Sequence, residues 1–472
     1  MTKPYDIVVL GGGVGGYTAA IRAAQLNFSV ALVEKAELGG TCLHRGCIPT
    51  KALLRSAEIY AQAKEGADYG VFASEVRLDF TRVQIRKTEI VERLHKGVQF
   101  LMKKNKIDVY KGEGRLMGPS IFSPRSGSVA LVTEDGEAVN LVPGHLILAT
   151  GSKPRMLPGL AAGGRIMTSD EALRMEDLPK SIVIVGGGVI GVEWASLLRD
   201  FGVEVTVVEF EKRLIPTEDE EISKELERLF TKQGIKVLTG AKVLAETVSQ
   251  SEQSVKLQVE RNGVIQDLEA EKMLVSVGRM AVTEGLGLEN TDIIVDRGFI
   301  KTDDFMQTME SHIFAVGDVN GKMQLAHAAA HQGIAAVERI AGLNTHAFAA
   351  QLVPRAIYTR TEVASVGWTE KQAAEKGFKV KTGKVSFRAL GKALVLGNSD
   401  GFVKVVADAA TGDILGVHMI GPHATDLISE ASLAQVLNAT PWEVGQTIHP
   451  HPTLSEALGE AMLAVDGASL NM

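Results

Sequence analysis

The sequence contains very few cysteines: only Cys42 and Cys47 occur among its 472 residues. Two cysteines five positions apart cannot form the disulfide scaffold of a small secreted protein. No third cysteine or clustered histidine supplies the other half of a zinc site, and we predict no metal. We therefore expect a reducing, cytosolic compartment, in which a persistent disulfide is more often catalytic than structural.

Long apolar runs and basic blocks are also missing. No stretch approaches the roughly 18 uninterrupted apolar residues of a membrane helix, and the apolar run at residues 7–10 is too short for a signal-peptide core. Lys and Arg number 50 against 57 Asp and Glu, a formal net charge of −7. We expect no membrane insertion, no nucleic-acid partner and a cytoplasmic location. The chain is too long for one core, so several domains are expected.

An internal repeat is the strongest positive signal. Residues 7–34 and 182–209 align without a gap at a constant offset of 175. Each copy predicts a strand, a G-x-G-x-x-G turn, a helix and a second strand, which is the Rossmann-like pattern that binds a pyrophosphate at a helix N-terminus. The glycines of the two fingerprints are Gly11, Gly13, Gly16, Gly186, Gly188 and Gly191.

Two fingerprints predict two dinucleotides, most simply a flavin and a nicotinamide. One fingerprint alone could be only a tight turn in a buried strand–helix unit, but two complete copies favour ligands. The copies end in Glu34 and Glu209, whose carboxylates can accept hydrogen bonds from a ribose diol. Because a 2′-phosphate requires Arg or Lys instead, Glu209 predicts NAD rather than NADP.

The cysteine pair follows Glu34 in the segment GGTCLHRGCIPTK, and residues 50–67 then have helical spacing. In an ideal helix, residues five apart have Cα atoms about 8.6 Å apart, beyond the usual reach of a disulfide. A bond between the cysteines needs a distorted turn, which Gly46 and Pro49 could provide. A redox pair and two free buried thiols both stay open at this point.

The C-terminal segment TIHPHPTLSE offers a general base. Disulfide exchange needs a thiolate, but a thiol near its usual pKa is mostly protonated at pH 7, and histidine titrates in the useful range for a base. His449 and His451 lie in a proline-rich loop before an apolar helix. Glu456 could orient a histidine, or it could only close the capping box that starts at Thr453. Alternating segments upstream predict the strands of an α+β domain.

These motifs, together with ATGSKP and AVGDV, make the chain similar to the flavin-dependent pyridine nucleotide-disulfide oxidoreductases over essentially its whole length. The resemblance implies an α/β protein with two Rossmann-like dinucleotide-binding domains and a C-terminal α+β dimerisation domain. The expected domains are an FAD-binding domain at 1–150, an NAD-binding domain at 151–280, a central domain completing the FAD site at 281–348, and an interface domain at 349–472.

The resemblance also implies roles for the residues that carry the chemistry. Cys42 exchanges with the substrate, and Cys47 faces the flavin as a thiolate. His451 is the base and Glu456 orients it, while His449 is structural. In the family this base completes the site of the partner subunit, so a homodimer is expected.

Several further positions match the family's cofactor contacts. Lys51 and Glu193 match an ion pair near the flavin. Asp318 matches an acid that holds a ribityl hydroxyl, although it could instead cap the next segment. The other positions matched to FAD are Gly114, Thr150, Gly151, Ser152 and Ala326, and those matched to NAD are Val243 and Gly278.

Within the family, the chain is most similar to members that oxidise protein-bound dihydrolipoyl groups with NAD⁺. The implied partners are lipoyl domains of acyltransferases or of H-proteins, in 2-oxoacid dehydrogenase or glycine cleavage complexes. Glutathione reductase-like activity is disfavoured by Glu209, mercuric and high-molecular-weight thioredoxin reductases by the lack of a C-terminal cysteine, and transhydrogenases by the cysteine pair. A non-catalytic, redox-sensing flavoprotein is the alternative from another class.

The chain departs from the family pattern at three places. Ala281 and Val282 stand where Pro-Asn is usual, Thr361 stands where proline is expected, and LHRG replaces the commoner LNVG between the cysteines. None of these changes removes a group that carries chemistry. We expect them to alter loop shape and cofactor affinity rather than the reaction.

Overall fold

The computed structural model describes residues 1–119 and 125–471. The chain divides into two compact units. The first unit comprises Met1–Ala52, Arg82–Arg155 and Arg279–Ala350, and the second comprises Leu53–Thr81, Met156–Gly278 and Gln351–Met472. The finer division into four domains stays a prediction.

The elements alternate between strands and helices along much of the chain. The strands of the first half are β1 (Thr2–Leu10), β2 (Val30–Glu34), β3 (Asp108–Lys111), β4 (Arg115–Met117), β5 (Ser128–Val132), β6 (Ala138–Leu148), β7 (Ser152–Pro154), β8 (Ile166–Met167), β9 (Ser181–Val185), β10 (Glu204–Glu209), β11 (Lys236–Thr239) and β12 (Ala241–Gln250). The later strands are β13 (Val255–Arg261), β14 (Val264–Ala270), β15 (Lys272–Val275), β16 (Arg279–Ala281), β17 (Val295–Asp296), β18 (Phe299–Ile300), β19 (Ile313–Ala315), β20 (Arg355–Ile357), β21 (Glu362–Gly367), β22 (Val380–Ser386), β23 (Phe402–Asp408) and β24 (Ile414–Gly421).

The α-helices range from one turn to seven turns. They are α1 (Val14–Gln25), α2 (Gly40–Arg45), α3 (Cys47–Lys64), α4 (Phe80–Lys104), α5 (Ser169–Ala172), α6 (Val189–Asp200), α7 (Glu220–Lys232), α8 (Ala326–Ile340), α9 (Glu370–Glu375), α10 (Gly391–Val395), α11 (Ala424–Val436), α12 (Pro441–Gln446) and α13 (Glu456–Ala464).

The first unit is built on a sheet of order β3-β2-β1-β6-β5-β4, and β19 also pairs with β6. Strands β2, β1, β6 and β19 are parallel to one another, whereas β5 pairs antiparallel with both β6 and β4. Residues 7–10 of β1 are all buried, because a central parallel strand is covered on both faces. The first glycine turn follows β1 directly, so the site it forms lies at the carboxyl edge of the sheet.

The second unit contains the other Rossmann-like sheet, of order β11-β10-β9-β15-β8, with parallel pairing throughout. It also contains an antiparallel sheet of order β20-β21-β24-β23-β22. All residues of β23 and β24 are buried, in a core that helices α11 and α13 help to form. The predicted α/β class and the C-terminal α+β domain are confirmed.

Two of the departures from the family pattern are accommodated without loss of regular structure. Ala281 is buried and pairs with Ser152 between β16 and β7. The Val282 amide then donates to the Gly151 carbonyl at 3.0 Å. Thr361 is buried, and its carbonyl accepts the Thr359 hydroxyl at 2.5 Å.

Gly383 gives a test of how closely α13 packs on the C-terminal sheet. A Cβ added to Gly383 would lie 2.2 Å from the Ala461 carbonyl oxygen and 2.5 Å from the Val465 amide nitrogen. Because both are backbone atoms of or beside α13, Gly383→Ala should destabilise the protein by about 1 to 3 kcal/mol. We expect a lower thermal midpoint for this variant.

Gly391→Ala is the matched control, since an added Cβ there meets no atom within 4 Å. Its thermal midpoint should equal that of the parent. Equal midpoints for Gly383→Ala and the parent would contradict the close packing of α13.

Candidate active site

The two cysteines lie on either side of a helix break. Cys42 is in α2, Cys47 begins α3, and Gly46 between them has φ −153° and ψ −110°. The break agrees with the distorted turn that a bond between the cysteines requires. No disulfide joins the two residues in the structure.

The thiols of the pair contact each other. A hydrogen bond to Cys47, with burial as the second cause, raises the pKa of the Cys42 thiol, and the nearby Lys51 ammonium opposes this increase. The two thiols are therefore close enough to form a hydrogen bond. The separate roles of the two cysteines stay a prediction.

The redox helix α2 is attached to the first glycine turn. The Gly39 amide donates to the Gly12 carbonyl at 2.8 Å, and Gly39 has φ +107°, a conformation that glycine adopts without strain. His44 of the unusual LHRG segment contributes as well. Its Nε2 lies 2.8 Å from the Leu38 carbonyl oxygen, and Nδ1 of His95 lies 2.9 Å from the same atom.

The first fingerprint has the geometry of a dinucleotide site. Gly11 has φ +107°, and a Cβ on Gly16 would lie 1.9 Å from the Gly11 carbonyl oxygen. Gly13 begins α1 without a side-chain cap, which leaves the amides of the helix N-terminus available to a phosphate. Glu34 is fixed by amides, since it accepts from Gly12 at 2.6 Å and from Ala36 at 2.7 Å.

The second fingerprint repeats this arrangement. Gly186 has φ +107°, a Cβ on Gly191 would lie 1.8 Å from the Gly186 carbonyl oxygen, and a Cβ on Gly188 would meet nothing within 4 Å. The buried Glu209 accepts from the Gly187 amide at 2.5 Å and from the Glu211 amide at 2.6 Å.

Each carboxylate oxygen of Glu209 keeps a further lone pair for a ribose hydroxyl. The residues present at both fingerprints therefore fit a bound dinucleotide.

Ser152 and Asp318 are brought together in the first unit. The Ser152 hydroxyl donates to the Asp318 carboxylate at 2.5 Å. Arg279, two residues before Ala281, was missed by the sequence analysis. It donates to the Ser152 hydroxyl at 2.7 Å and to the Ser152 carbonyl at 2.8 Å. Asp318 is thus held by side chains rather than serving only as a cap.

The remaining predicted cofactor contacts of the first unit lie on different elements. Thr150 follows β6, and its hydroxyl donates to the Val282 carbonyl at 2.7 Å. Gly114 lies between β3 and β4, where a Cβ would come 2.7 Å from Leu10. The others are Gly151 between β6 and β7, Lys51 in α3 and Ala326 at the start of α8.

Three predicted contacts of the second unit lie outside its fingerprint turn. Glu193 is buried in α6, and its carboxylate accepts the Tyr358 amide at 3.0 Å. Val243 lies in β12 opposite Val259. Gly278 follows β15 with φ +106°.

His451 and Glu456 form a pair in the second unit. Nδ1 of His451 lies 2.9 Å from the Glu456 carboxylate, and the imidazole is 77% exposed. Burial acts to raise the pKa of Glu456, but hydrogen bonds from His451 and the Thr453 amide outweigh it and keep that pKa below its usual value. Glu456 is therefore a carboxylate at neutral pH, and it contacts the ring at Nδ1.

Glu456 also accepts a hydrogen bond at the N-terminus of α13. The Thr453 amide donates to Glu456 at 2.8 Å, whereas the Thr453 hydroxyl donates to the Pro450 carbonyl. Only half of the predicted capping box is formed. His449 is nearly buried and contacts Glu430 at 2.8 Å, a partner 19 residues earlier that the sequence analysis did not find.

No helix within residues 1–119 and 125–471 is long and apolar enough to cross a membrane. In the same residues, no group of three or more His, Cys, Asp or Glu side chains could hold a metal ion.

Two family models match the chain. The model described as pyridine nucleotide-disulphide oxidoreductase matches residues 5–333. The chain belongs to this family. The family's dimerisation domain matches residues 353–462, which supports a homodimer. The family match fits the cofactors FAD and NAD.

Curated relatives are similar over their full length. The dihydrolipoyl dehydrogenase of Bacillus subtilis is 60% identical over 473 residues, covering 100% of both chains. That of Zymomonas mobilis is 41% identical over 474 residues, again covering 100% of both. That of Chlorobaculum parvum is 44% identical over 461 residues, 98% of this chain and 97% of the relative.

Solved structures of oxidoreductases share the fold. LpdA from Mycobacterium tuberculosis superimposes with a TM-score of 0.89 at 26% identity, covering 97% of this chain and 98% of that one. The HOCl-induced flavoprotein disulfide reductase RclA from Escherichia coli, as its Cu(II) complex, gives 0.85 at 26% identity, covering 98% and 99%.

The fixed carboxylate of Glu209 predicts which nicotinamide this oxidoreductase uses. Glu209→Arg should lower kcat/KM for NAD and raise it for NADP. The carboxylate accepts hydrogen bonds from the ribose hydroxyls, whereas arginine donates hydrogen bonds to a 2′-phosphate. Steady-state rates with NADH and NADPH measure both effects. Equal rates with the two nucleotides in the unmodified protein would show that Glu209 does not read the ribose.

Proposed function

We propose that the chain is a dihydrolipoyl dehydrogenase, which oxidises protein-bound dihydrolipoyl groups to the disulfide and reduces NAD⁺ to NADH. The observation that carries the proposal is the 60% identity, over the full length of both chains, to a dihydrolipoyl dehydrogenase. The adjacent thiols of Cys42 and Cys47 support it, because this reaction needs a pair that can cycle between dithiol and disulfide.

His451 starts the reaction as a general base. A substrate thiol gives its proton to Nε2 of His451, while Glu456 holds Nδ1 and stabilises the imidazolium. The substrate thiolate attacks Sγ of Cys42 in the oxidised pair. The Cys42–Cys47 bond breaks, Cys47 leaves as a thiolate, and a mixed disulfide joins Cys42 to the substrate.

The second substrate thiol then displaces Cys42 from the mixed disulfide. The lipoyl disulfide is released, and the two electrons remain in the reduced cysteine pair. FAD, when bound, supplies the transfer of these two electrons to NAD⁺. Cys42 and Cys47 close to the disulfide again, so the sum is one dihydrolipoyl group and NAD⁺ to one lipoyl group, NADH and a proton.

The residues predicted to contact the cofactors offer backbone amides and carboxylates as hydrogen-bonding groups. The residues proposed to hold FAD are Gly11, Gly13, Gly16, Glu34, Lys51, Gly114, Thr150, Gly151, Ser152, Asp318 and Ala326. The residues proposed to hold NAD are Gly186, Gly188, Gly191, Glu209, Val243 and Gly278, whereas Glu193 keeps its predicted place near the flavin. The open space beside Gly188 supports this assignment, because a phosphate must approach the backbone there.

The proposed partners are lipoyl domains of acyltransferases or H-proteins, which present the substrate to the homodimer. The proposed compartment is the cytoplasm, because a chain with only two cysteines fits a reducing environment.

The deciding experiment measures how fast the FAD-loaded dimer turns over different disulfide substrates. NADH should reduce lipoamide, and dihydrolipoamide should reduce NAD⁺. Glutathione disulfide with NADH or NADPH should give no turnover. Turnover of glutathione disulfide without lipoamide turnover would overturn the proposal.

His451→Gln should lower turnover of dihydrolipoamide with NAD⁺ by about 10²- to 10⁴-fold, the usual effect of removing a positioned general base. Rapid-mixing absorbance should show that NADH still reduces the flavin of this variant, because that step does not require a proton from the substrate dithiol.

His449→Gln is the control for this variant, since His449 is nearly buried on Glu430. Its turnover should stay much closer to that of the parent. Equal losses in the two variants would place the base elsewhere.

Glu456→Gln should cost less turnover than His451→Gln. The acid limb of its pH–rate profile should move to lower pH, because an imidazolium that loses an adjacent carboxylate releases its proton more readily. Steady-state rates between pH 5 and 9 measure the shift. An unchanged acid limb would mean that Glu456 only serves the start of α13.

A further inference from the structure

The two dinucleotide sites share a contact outside their fingerprints. In the first site, the Gly12 carbonyl accepts the Gly39 amide at 2.8 Å, and in the second the Gly187 carbonyl accepts the Ile215 amide at 2.8 Å. A leucine precedes each donor and packs on the same glycine. A Cβ on Gly12 would lie 2.8 Å from Leu38, and one on Gly187 would lie 2.6 Å from Leu214. Gly39 and Ile215 are therefore structural equivalents.

The two donors differ in what their backbone conformation costs. Both have positive φ, +107° at Gly39 and +40° at Ile215. Glycine adopts this region freely, but a β-branched residue there is strained and persists only where its surroundings enforce it. Ile215 is also fully buried. A specific set of contacts must hold the second site in the arrangement that glycine provides at the first.

Those contacts come from the residues after Ile215. The Ile215 carbonyl accepts the Glu218 amide at 2.9 Å and the Ser223 hydroxyl at 3.3 Å. The Glu218 side chain is 1% exposed, and it binds Arg355 at 3.0 Å and the Ser365 hydroxyl at 2.5 Å.

The next residue repeats this attachment to the C-terminal sheet. Asp219 is buried, and both of its carboxylate oxygens lie 3.2 Å from Nζ of the buried Lys404. Ser365 on β21 and Lys404 on β23 therefore bind the segment that follows Ile215. These contacts are costly to break, because a buried carboxylate that loses its partners leaves an uncompensated charge in the protein interior.

We infer that Ile215 is a positioning residue for NAD, held in its strained conformation by Glu218 and the C-terminal sheet. Its amide fixes the Gly187 carbonyl, and the N–H of the same glycine in turn fixes the Glu209 carboxylate at 2.5 Å. The dimerisation domain thereby sets the affinity of the nucleotide site. The identity of the nucleotide rests on the proposed function, whereas the mechanical link rests on the contacts alone.

Glu218→Gln tests the link, because it removes the charge that Arg355 binds while keeping the size of the side chain. We expect the Kd for NAD⁺, measured by titration of the FAD-loaded dimer, to rise about tenfold. KM for NAD⁺ should rise in parallel with little change in kcat. FAD content and flavin reduction by dihydrolipoamide without NAD⁺ should match the parent.

Glu362→Gln is the matched control. Glu362 is also on β21 and accepts the Thr425 amide and hydroxyl at 3.0 and 2.7 Å, but it does not contact the Ile215 segment. Its Kd for NAD⁺ should equal that of the parent. Equal Kd values for Glu218→Gln and Glu362→Gln would overturn the inference. Should Glu218→Gln not fold, Ser365→Ala removes one partner of the same carboxylate and should raise Kd about threefold; an unchanged Kd would count equally against the inference.

Two variants of Ile215 separate the amide from the side chain. Ile215→Gly keeps the amide and favours positive φ, so Kd for NAD⁺ should stay within about twofold although the thermal midpoint falls. Ile215→Pro removes the N–H and sets φ near −65°, so Kd should rise at least tenfold. Equal increases in both variants would assign the effect to side-chain packing and refute the positioning role.

The titration also separates this inference from the proposed function. A protein that binds NAD⁺ with the predicted variant effects but does not oxidise dihydrolipoamide would refute the function and keep the inference. Normal turnover with no variant effect on Kd would do the reverse.

Discussion

The hydrogen bond between a strand-ending glutamate and the middle glycine of the adjacent turn is the constraint on which both cofactor sites depend. Glu34 holds Gly12 and Glu209 holds Gly187, at 2.6 and 2.5 Å. Each bond connects the end of a second parallel strand to the turn that follows the first. The bond fixes the shape of the turn and with it the helix amides that would face a phosphate.

The redox centre inherits its position from this constraint. Gly39 follows the first glutamate by five residues and returns to the Gly12 carbonyl, and α2 with Cys42 begins at the next residue. The break at Gly46 then turns the chain so that Cys47 meets Cys42. Any displacement of the first glycine turn therefore moves the thiols as well, which is a physical reason for placing exchange chemistry directly beside a dinucleotide site.

The second site lacks glycine at the equivalent point and uses tertiary contacts instead. Buried charges support it: Glu218 and Asp219 are satisfied by Arg355, Ser365 and Lys404 of the C-terminal segment. Such pairs add little to stability when well formed but are costly to break. They suit a role in fixing one arrangement of a strained segment, and they make the dimerisation domain part of the nucleotide site's support.

Much of the molecule was determined by the sequence alone. Periodicity and glycine spacing predicted both Rossmann-like units, because those features follow from local backbone geometry and a buried parallel strand. The cysteine pair, the histidine loop and the C-terminal strands were also found from short segments. Only the tertiary structure decided that β19 joins the first sheet and that Arg279 binds Ser152. It also decided that Glu430 binds His449, and that Ile215 has in the second site the position that Gly39 has in the first. Each of these contacts joins residues that no local period relates, or depends on a backbone angle that the residue type disfavours, so only the packing of the whole chain selects it.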